Sequence, residues 1–324
     1  MKNILLLTLL AGSLYAQNGI KGIYSVSLSV QNLEQSAAFY QKAIGFTEGA
    51  HFVINKKNKV ESKSGIKHID RKIATLQCPN GRIELIEFQG IGKQELSVMP
   101  VQGPGITHIC YQSSAENSIY KQAKINGATV VSRGTTPVNR GYGIQYAYIR
   151  DANNIMFETE QFDKVPFNEA MWIGHVALVS PNMDKIIDFY TKLLGRKPQN
   201  RLDKIKSSTK LDDIANIDSL KLNAAWFKTP NMLLEIWQFD NPPTTPPQYV
   251  PSFSKIGYQK ITFEVENLDS LYQSLSKTGM LFLSKPVKNK GVKEVMLCDP
   301  DGNLLSLIEL PALSPLSIDK LKKL

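Results

Sequence analysis

Residues 25–45 read SVSLSVQNLEQSAAFYQKAIG, and residues 175–195 read HVALVSPNMDKIIDFYTKLLG. The two stretches share Val-x-Leu, then Asn, then Phe-Tyr and a closing Gly, and each matching pair lies 150 positions apart. A second match follows downstream, because residues 79–84 (PNGRIE) recur as residues 230–235 (PNMLLE). Self-similarity at a fixed period is the signature of a repeated structural unit. The chain therefore contains one unit at least twice, and equivalent positions can be compared copy by copy.

The length and composition indicate a globular protein of about two domains. The chain has 324 residues, of which 42% are hydrophobic and 21% charged. The formal net charge is +9, but the basic residues are not interleaved with aromatic residues and form no recognised nucleic-acid motif. We therefore predict solvated basic loops that weakly attract anionic ligands, and no nucleic-acid partner.

The N-terminus differs from the rest of the chain. Lys2 precedes a short apolar run at Ile4–Leu10, and small residues lead up to Ala16. This order is typical of a secretory signal peptide, and the apolar run is too short to span a bilayer. We predict a signal peptide at residues 1–16, cleavage after Ala16, and a periplasmic or secreted protein that has no membrane association once the peptide is removed.

The three cysteines, Cys78, Cys110 and Cys298, are widely spaced, odd in number and free of any CxxC pattern. Such spacing fits neither a disulfide framework nor a zinc ribbon. Buried free thiols are the favoured interpretation. A Cys78–Cys110 bridge in an oxidising compartment is left open.

Each half of the chain divides again into two modules. Alternating apolar residues open a module as a strand, a capped helix that stops at Gly follows, and about three strands complete the module. The modules run over about residues 22–90, 105–162, 172–240 and 256–310, with a stiff linker at Pro242–Pro247. Within them we predict residues 82–88 as the last strand of module one and residues 115–126 as the helix of module two. We predict an α+β fold in which four βαβββ modules form two half-open, barrel-like domains, at residues 20–163 and 170–312.

Three motifs carry a resemblance to a known family. They are the module opening, the Pro-Asn-x-x-x-Glu strand, and the turn Asp-Pro-Asp-Gly-Asn at residues 299–303 before a final strand. In these motifs the chain resembles the vicinal oxygen chelate superfamily, which includes glyoxalase I, methylmalonyl-CoA epimerase, extradiol dioxygenases and fosfomycin-resistance proteins. The resemblance covers nearly all of the mature chain. It implies the fold more specifically than the reaction, since several reactions share this scaffold.

The resemblance also implies up to two metal ligands in each module, one on the first strand and one on the last. The implied positions, module by module, are Ser25 and Glu84, His108 and Glu158, His175 and Glu235, and Lys260 and Ser306. Two of the four histidines, His51 and His68, fall outside these positions, in predicted loops or on the surface.

Two imidazoles and two carboxylates form a donor set that suits a divalent Zn, Ni, Fe, Mn or Co ion. We predict His108, Glu158, His175 and Glu235 as metal ligands. Such an ion would polarise two adjacent substrate oxygens. Glu158 and Glu235 are also predicted to be catalytic, because a carboxylate that loosens from the metal can carry a proton between neighbouring carbons.

Which modules share a cleft decides whether this set is complete. Fused glyoxalase-like chains pair module two with three and module one with four, which would bring all four ligands together. The other cleft would then hold Ser25, Lys260 and Ser306, which depart from the ligand types that the resemblance implies. There, Lys260 could replace the cation by pairing with Glu84. Dioxygenase-like chains pair one with two and three with four, which would split the ligands. We favour the first pairing because it keeps the four predicted ligands together.

The sequence is compatible with three functions. The favoured one is a metal-dependent lyase or isomerase of glyoxalase type, acting on a small substrate with vicinal oxygens. The predicted export argues against a cytosolic thiol substrate. The first alternative is an extradiol-type, ring-cleaving dioxygenase with Fe(II) held by two His and one carboxylate. The second is a non-catalytic protein that binds a small molecule. The substrate, the metal and the oligomeric state stay open.

Overall fold

The computed structural model describes residues 18–54, 59–90, 98–247 and 255–324, without the side chains of residues 51 and 52. The predicted signal peptide at residues 1–16 lies outside these ranges. Within them, no helix combines the length and the apolar character that crossing a membrane requires.

The four predicted modules are present as successive sets of strands and helices. Module one comprises β1 (Ile20–Ser29), α1 (Leu33–Phe39), β2 (Thr47–Ile54), α2 (Lys59–Lys63), β3 (Arg71–Gln77) and β4 (Arg82–Phe88). Module two comprises β5 (Gly105–Ser114), α3 (Ile119–Ile125), β6 (Thr129–Val130), β7 (Val138–Gly141), β8 (Ile144–Arg150) and β9 (Met156–Phe162). A π-helical turn, Tyr40–Ile44, continues α1.

The second half repeats this order. Module three comprises β10 (Trp172–Val179), α4 (Met183–Leu194), β11 (Asn200–Ile205), α5 (Thr209–Ala215), β12 (Lys221–Lys228) and β13 (Leu233–Asn241). Module four comprises β14 (Gly257–Val265), α6 (Leu268–Lys277), β15 (Val287–Asn289), β16 (Val292–Cys298) and β17 (Leu304–Glu309). A short 3₁₀ helix, Ile318–Lys320, lies near the C-terminus.

The strands form two open sheets, and each sheet takes one module from each half. Sheet A joins modules one and four in the order β15-β16-β17-β14-β1-β4-β3-β2. Sheet B joins modules two and three in the order β11-β12-β13-β10-β5-β9-β8-β6, with β7 beside β8. The antiparallel pairs β1–β14 and β5–β10 connect the modules. Of the two pairings considered from the sequence, the chain therefore adopts two with three and one with four, and the fold is mixed α+β as predicted.

Side-chain caps set where the helices begin. An Asn at the N-cap accepts a hydrogen bond from a first-turn amide in α1, α4 and α6; these residues are Asn32, Asn182 and Asn267. In module two the cap is Ser118, so α3 starts at Ile119 and not at Ala115, where the sequence predicted it. The amide of Asn117 instead donates to Ser114 Oγ in a turn.

Alternation along the strands divides each sheet into two faces. One face packs into a shared core; Val26 and Leu28 of β1 and Val176 and Leu178 of β10 are buried there. The opposite face, called here the cleft face, receives the intervening residues. By this alternation, Val176 of β10 lies on the core face and His175 lies on the cleft face.

Two equivalent asparagines join the halves at the centre of the molecule. Asn80 Nδ2 donates to the carbonyls of Ile173 and Asn231, and its Oδ1 accepts from the amide of Ile173. Asn231 repeats this pattern, with bonds to the amide and carbonyl of Ile23 and to the carbonyl of Asn80. Both side chains are fully buried. The repeated Pro-Asn turn is therefore the hydrogen-bonded centre of an approximate twofold arrangement.

Candidate metal centre

The four predicted ligands meet on the cleft face of sheet B because of the strand register. Ala177 of β10 is paired on one side with His108 of β5 and on the other with Glu235 of β13. Cys110 of β5 is likewise paired with His175 and with Glu158 of β9. The first strands of modules two and three, β5 and β10, are neighbours, so their histidines face each other. The last strands, β9 and β13, pair with the outer edges of β5 and β10.

The polar ends of these side chains converge on one point. His175 Nε2 lies 3.3 Å from His108 Nε2 and 3.1 Å from Oε2 of both Glu158 and Glu235. His108 Nε2 lies 3.7 Å from the same two carboxylate oxygens. All four residues are at least nine-tenths buried. The structure thus brings together all four residues that the sequence singled out, and their binding of a metal stays a prediction.

The donors fit a divalent cation. Glu235 Oε2 is buried and, among the residues that the structure describes, accepts no hydrogen bond of good geometry, although His175 Nε2 is close to it. Such an orphaned carboxylate oxygen costs about 1–3 kcal/mol or more, and a cation among these atoms would offset that cost. Neutral imidazole and carboxylate are the ligands that Zn, Ni, Fe, Mn and Co accept. The set of His108, His175 and Glu235 alone has its ligand atoms within 4.8 Å of one another.

The pKa values show how the cluster distributes charge. Burial and the nearby His175 lower the pKa of His108 to about 3. Burial raises the pKa of Glu158 to about 7. Burial opposes charge on His175 and Glu235 as well, but their mutual attraction outweighs it. The pKa of His175 is raised well above its usual value, and the pKa of Glu235 is lowered to about 2. Without a cation, a proton on His175 therefore balances the carboxylates.

The two carboxylates are held differently. Trp226 of β12 lies opposite Glu235, and its indole Nε1 donates to Glu235 Oε1 at 2.6 Å. Tyr148 of β8 occupies the matching place opposite Glu158, but its buried hydroxyl has no hydrogen-bond partner among the described residues. Glu235 is therefore pinned in place, whereas Glu158 lacks an equivalent restraint. Cross-strand register reveals this difference, and periodicity along one strand carries no signal for it.

A second grouping overlaps the first. The ligand atoms of Cys110, Glu158, Glu160 and His175 also lie within 4.8 Å of one another. Glu160 accepts a hydrogen bond from Gln112 Nε2 at 2.5 Å. The sequence analysis did not single out Glu160, although the spacing of Glu160 from Glu158 puts both on one face of β9. Cys78 and Cys110 are free thiols, so they form no bridge.

The equivalent positions of sheet A hold a different chemistry. Ser27 is paired with Lys260 and Glu84, as Ala177 is with His108 and Glu235. Lys260 does not replace a cation by pairing with Glu84, because its Nζ lies 3.9 Å from Glu294. Glu84 instead accepts a hydrogen bond from Ser27 Oγ at 2.6 Å. Of the four implied ligand positions in this cleft, one, Glu84, carries a carboxylate or an imidazole. The other three carry Ser25, Lys260 and Ser306.

Thr107 further orients His108, since its Oγ1 lies 3.1 Å from His108 Nδ1 on the side of the ring away from the cluster. Of the other two histidines, His68 lies just before β3 in module one and contacts Asp70 at 2.8 Å. The side chain of His51 is outside the described residues.

Comparisons with known proteins agree with this architecture. The sequence matches the model of the Glyoxalase/Bleomycin resistance protein/Dioxygenase superfamily over residues 22–159 and again over residues 172–307. Among solved structures, glyoxalase I from Zea mays is 17% identical with a TM-score of 0.61, and the match covers 89% of this chain and 92% of that one. A Bacillus subtilis protein provisionally described as a dioxygenase is 11% identical with a TM-score of 0.57, covering 90% of this chain and 86% of its own.

At these identities the two structures show similarity of fold alone. A search of curated proteins found no match. The family model, however, covers most of the chain in two repeats whose limits follow the two predicted halves. The chain therefore belongs to the Glyoxalase/Bleomycin resistance protein/Dioxygenase superfamily.

Proposed function

We propose that this protein is a divalent-metal-dependent enzyme of glyoxalase type, a lyase or isomerase that acts on a small substrate with adjacent oxygens. One observation carries the proposal: two histidine nitrogens and two glutamate oxygens converge at 3.1–3.7 Å in sheet B. The same positions of sheet A keep only one such donor, Glu84. One cleft of the pair is therefore equipped for metal chemistry.

His108, His175, Glu158 and Glu235 would hold the ion, which when bound would supply Lewis-acid polarisation of two adjacent substrate oxygens. Glu235, restrained by Trp226, is the fixed carboxylate. Glu158 has no comparable restraint, so it is the carboxylate that takes a proton from one substrate carbon and returns it to the neighbouring one. This assigns different tasks to two residues that the repeat makes equivalent.

Two donors beside His108 support an oxygen-rich substrate. Among the described residues the Tyr148 hydroxyl has no hydrogen-bond partner, and the Trp237 indole N–H, which is close to Glu235, makes no hydrogen bond of good geometry. Both rings contact His108 edge-on, with centroids 5.0 Å and 6.5 Å from the imidazole centroid. Trp offers a donor only. A substrate that presents acceptor oxygens, such as a carbonyl next to a hydroxyl, would satisfy both groups, whereas a protonated amine has no lone pair to accept the Trp237 N–H.

The dioxygenase alternative has less support. A centre of two His and one carboxylate leaves one face of the metal open for oxygen. Here a second carboxylate, Glu158, reaches the same point at 3.1 Å from His175 Nε2. The four-donor set favours the lyase or isomerase.

We also propose export to the periplasm or the medium, with removal of residues 1–16. The support is the order of the cationic start, apolar run and small residues before Gln17. Mass spectrometry of the protein from the periplasmic fraction should find Gln17 as the first residue. A protein that retains Met1 and stays in the cytoplasm would contradict export.

The first experiment is metal analysis of the mature protein by plasma emission. Wild type should contain about one divalent ion per chain, since one donor set is complete. His108→Ala and His175→Ala should each lose it. Glu84→Gln, at the position equivalent to Glu235, is the matched control and should retain it.

The outcomes separate the proposals. Loss of the ion in both histidine variants, together with lyase or isomerase turnover by the wild type, supports the enzyme. A wild-type protein that takes up no Zn, Ni or Fe even after soaking rules out both enzyme functions. The binding-protein alternative would then remain, and ligand screening would follow.

A further inference from the structure

One side chain from sheet A enters the strands that carry the predicted metal ligands in sheet B. The hydroxyl of Tyr258, on β14, accepts a hydrogen bond from the amide of Ile109 at 3.1 Å. It donates to the carbonyl of Met156 at 2.8 Å. Ile109 follows His108 on β5, and Met156 lies two residues before Glu158 on β9. A single hydroxyl thus bridges the His108 strand and the Glu158 strand.

The Tyr258 hydroxyl lies where a backbone hydrogen bond between β5 and β9 would otherwise form. The parallel pairing of β5 with β9 begins at Cys110 opposite Glu158. In a parallel ladder extended by one residue, Ile109 would lie opposite Phe157, and its amide would donate directly to the carbonyl of Met156. Tyr258 replaces that direct bond with two bonds through its oxygen. The two strands are therefore held apart at the level of His108 by the width of a hydroxyl group.

The repeat provides an internal comparison. In sheet A, β14 pairs with β17 from Lys260 onward, and Lys260 is the equivalent of His108. That ladder continues through the level at which the β5–β9 ladder stops. The residue equivalent to Tyr258 in module two is Ile106, because each is paired with the corresponding leucine, Leu28 or Leu178. Isoleucine has no hydroxyl to insert, so this separation of strands belongs to sheet B alone.

We propose that Tyr258 is a positioning residue for the metal centre, which sets the spacing between His108 and Glu158 from the opposite sheet. The inference rests on the proposed function, since it concerns the same four ligands. Nε2 of His108 and Oε2 of Glu158 are 3.7 Å apart with the strands held open. Without the hydroxyl, the amide of Ile109 and the carbonyl of Met156 either close into a direct bond or lose their partners. Both results move His108 relative to Glu158.

The test compares Tyr258→Phe with Tyr190→Phe in the full mature chain. Tyr190 is an apt control because its buried hydroxyl also makes an intermodule bond, to Asp299 Oδ2 at 3.1 Å, and among the described residues it makes no hydrogen bond to β5, β9, β10 or β13. Co(II) affinity and the visible Co(II) spectrum are measured for each protein, and its melting temperature is measured without metal. In addition, imidazole ¹⁵N resonances are recorded for the metal-free proteins.

Tyr258→Phe should weaken Co(II) binding about tenfold, as loss of an outer-shell partner does, and should change the Co(II) bands. Tyr190→Phe should lower the melting temperature and leave affinity and spectrum as in the wild type. A Tyr258→Phe protein that melts lower but has wild-type affinity and spectrum overturns the inference, because Tyr258 would then serve stability only.

The metal-free measurement separates this inference from the proposed function. If the wild type binds neither Co(II) nor Zn, Ni or Fe, the proposed function fails. The positioning role is then judged by the His108 ring resonances alone. A shift in Tyr258→Phe that is missing in Tyr190→Phe supports it, and unchanged His108 resonances in both variants overturn it.

Discussion

At the scale of single residues, protons and a metal cation would compete for the same nitrogen and oxygen atoms of the four predicted ligands. His175 carries a proton that balances nearby carboxylates, and burial keeps Glu158 at a pKa of about 7. A metal ion needs neutral imidazoles and ionised carboxylates, so it must displace these protons. The residues therefore determine the pH range in which a metal can bind.

Zinc affinity should fall as the pH drops through about 7, and binding should release protons. The sign follows from the raised pKa of Glu158 and of His175, since both groups take up protons in the metal-free protein as the pH falls. Calorimetric titrations from about pH 6 to about pH 8, in buffers of different ionisation enthalpy, measure both effects. Glu158→Gln should flatten the dependence and Glu84→Gln should preserve it. Equal affinity across this range would contradict the prediction.

Trp226→Phe should weaken metal binding about tenfold, because it releases Glu235 Oε1 from its indole partner. The control is Trp172→Phe. The indole of Trp172 is also buried and stacks on Phe167, but among the described residues its N–H has no hydrogen-bond partner, so it restrains none of the four predicted ligands. Metal competition assays give the affinities. Equal losses in both variants would mean that bulk, and not the hydrogen bond to Glu235, matters.

At the scale of elements, the first and last strands of modules two and three position the four predicted ligands. β5 and β10 bring the histidines together by antiparallel pairing, and β9 and β13 add the carboxylates by parallel pairing. The turns between strands matter as much, because the buried amides of the Pro-Asn turn satisfy backbone groups in the other half of the chain. Loss of one such turn leaves several buried groups without partners.

Asn231→Ala should reduce the free energy of unfolding by about 3 kcal/mol or more, since it orphans the amide and carbonyl of Ile23 and the carbonyl of Asn80. Urea unfolding measures the loss. Asn126→Ala is the control, because Asn126 is exposed and bonds only locally to Gln122, so its effect should stay within about 0.5 kcal/mol. Similar losses in the two variants would show that the central asparagines are not special.

At the scale of the whole molecule, the halves of the chain interlock. Each sheet contains one module from each half, and buried tyrosines then tie together the two modules of a half. Tyr40 of module one donates to Asp151 of module two at 3.3 Å, and Tyr190 repeats the bond to Asp299. The first half carries His108 and Glu158 and the second half carries His175 and Glu235. The candidate metal centre is thus assembled from both halves of the chain.

Two fragments made by cutting the segment at residues 164–169 should therefore bind a metal only after mixing, because neither monomeric half has a complete ligand set or a complete sheet. Size-exclusion chromatography and metal analysis of each fragment and of the mixture provide the test. The same samples show whether the predicted domains, 20–163 and 170–312, fold as independent units. An isolated half that is a folded monomer with a tightly bound metal would contradict this prediction.

The sequence by itself determined the repeat and the opening strand and helix of each module, and its resemblance to the family singled out the four residues that meet in the candidate metal centre. These properties are local or periodic: the last strand of module one, residues 82–88, could be read from alternation, and the 150-residue offset made Ser25 the counterpart of His175. Residue type then showed which positions had kept a donor and which had lost it. The helix starts were less certain, as Ser118 shows, since a cap depends on which side chain the turn presents.

Only the tertiary structure decided which modules share a sheet and how the ligands are supported. Alternation along β1 or β5 is compatible with either pairing, because the partner strand lies far away in sequence and is chosen by burial of whole sheet faces. Trp226, Tyr148 and Tyr258 were missed for the same reason. Their relation to Glu235, Glu158 and His108 depends on cross-strand register and sheet packing, which no spacing within one segment encodes.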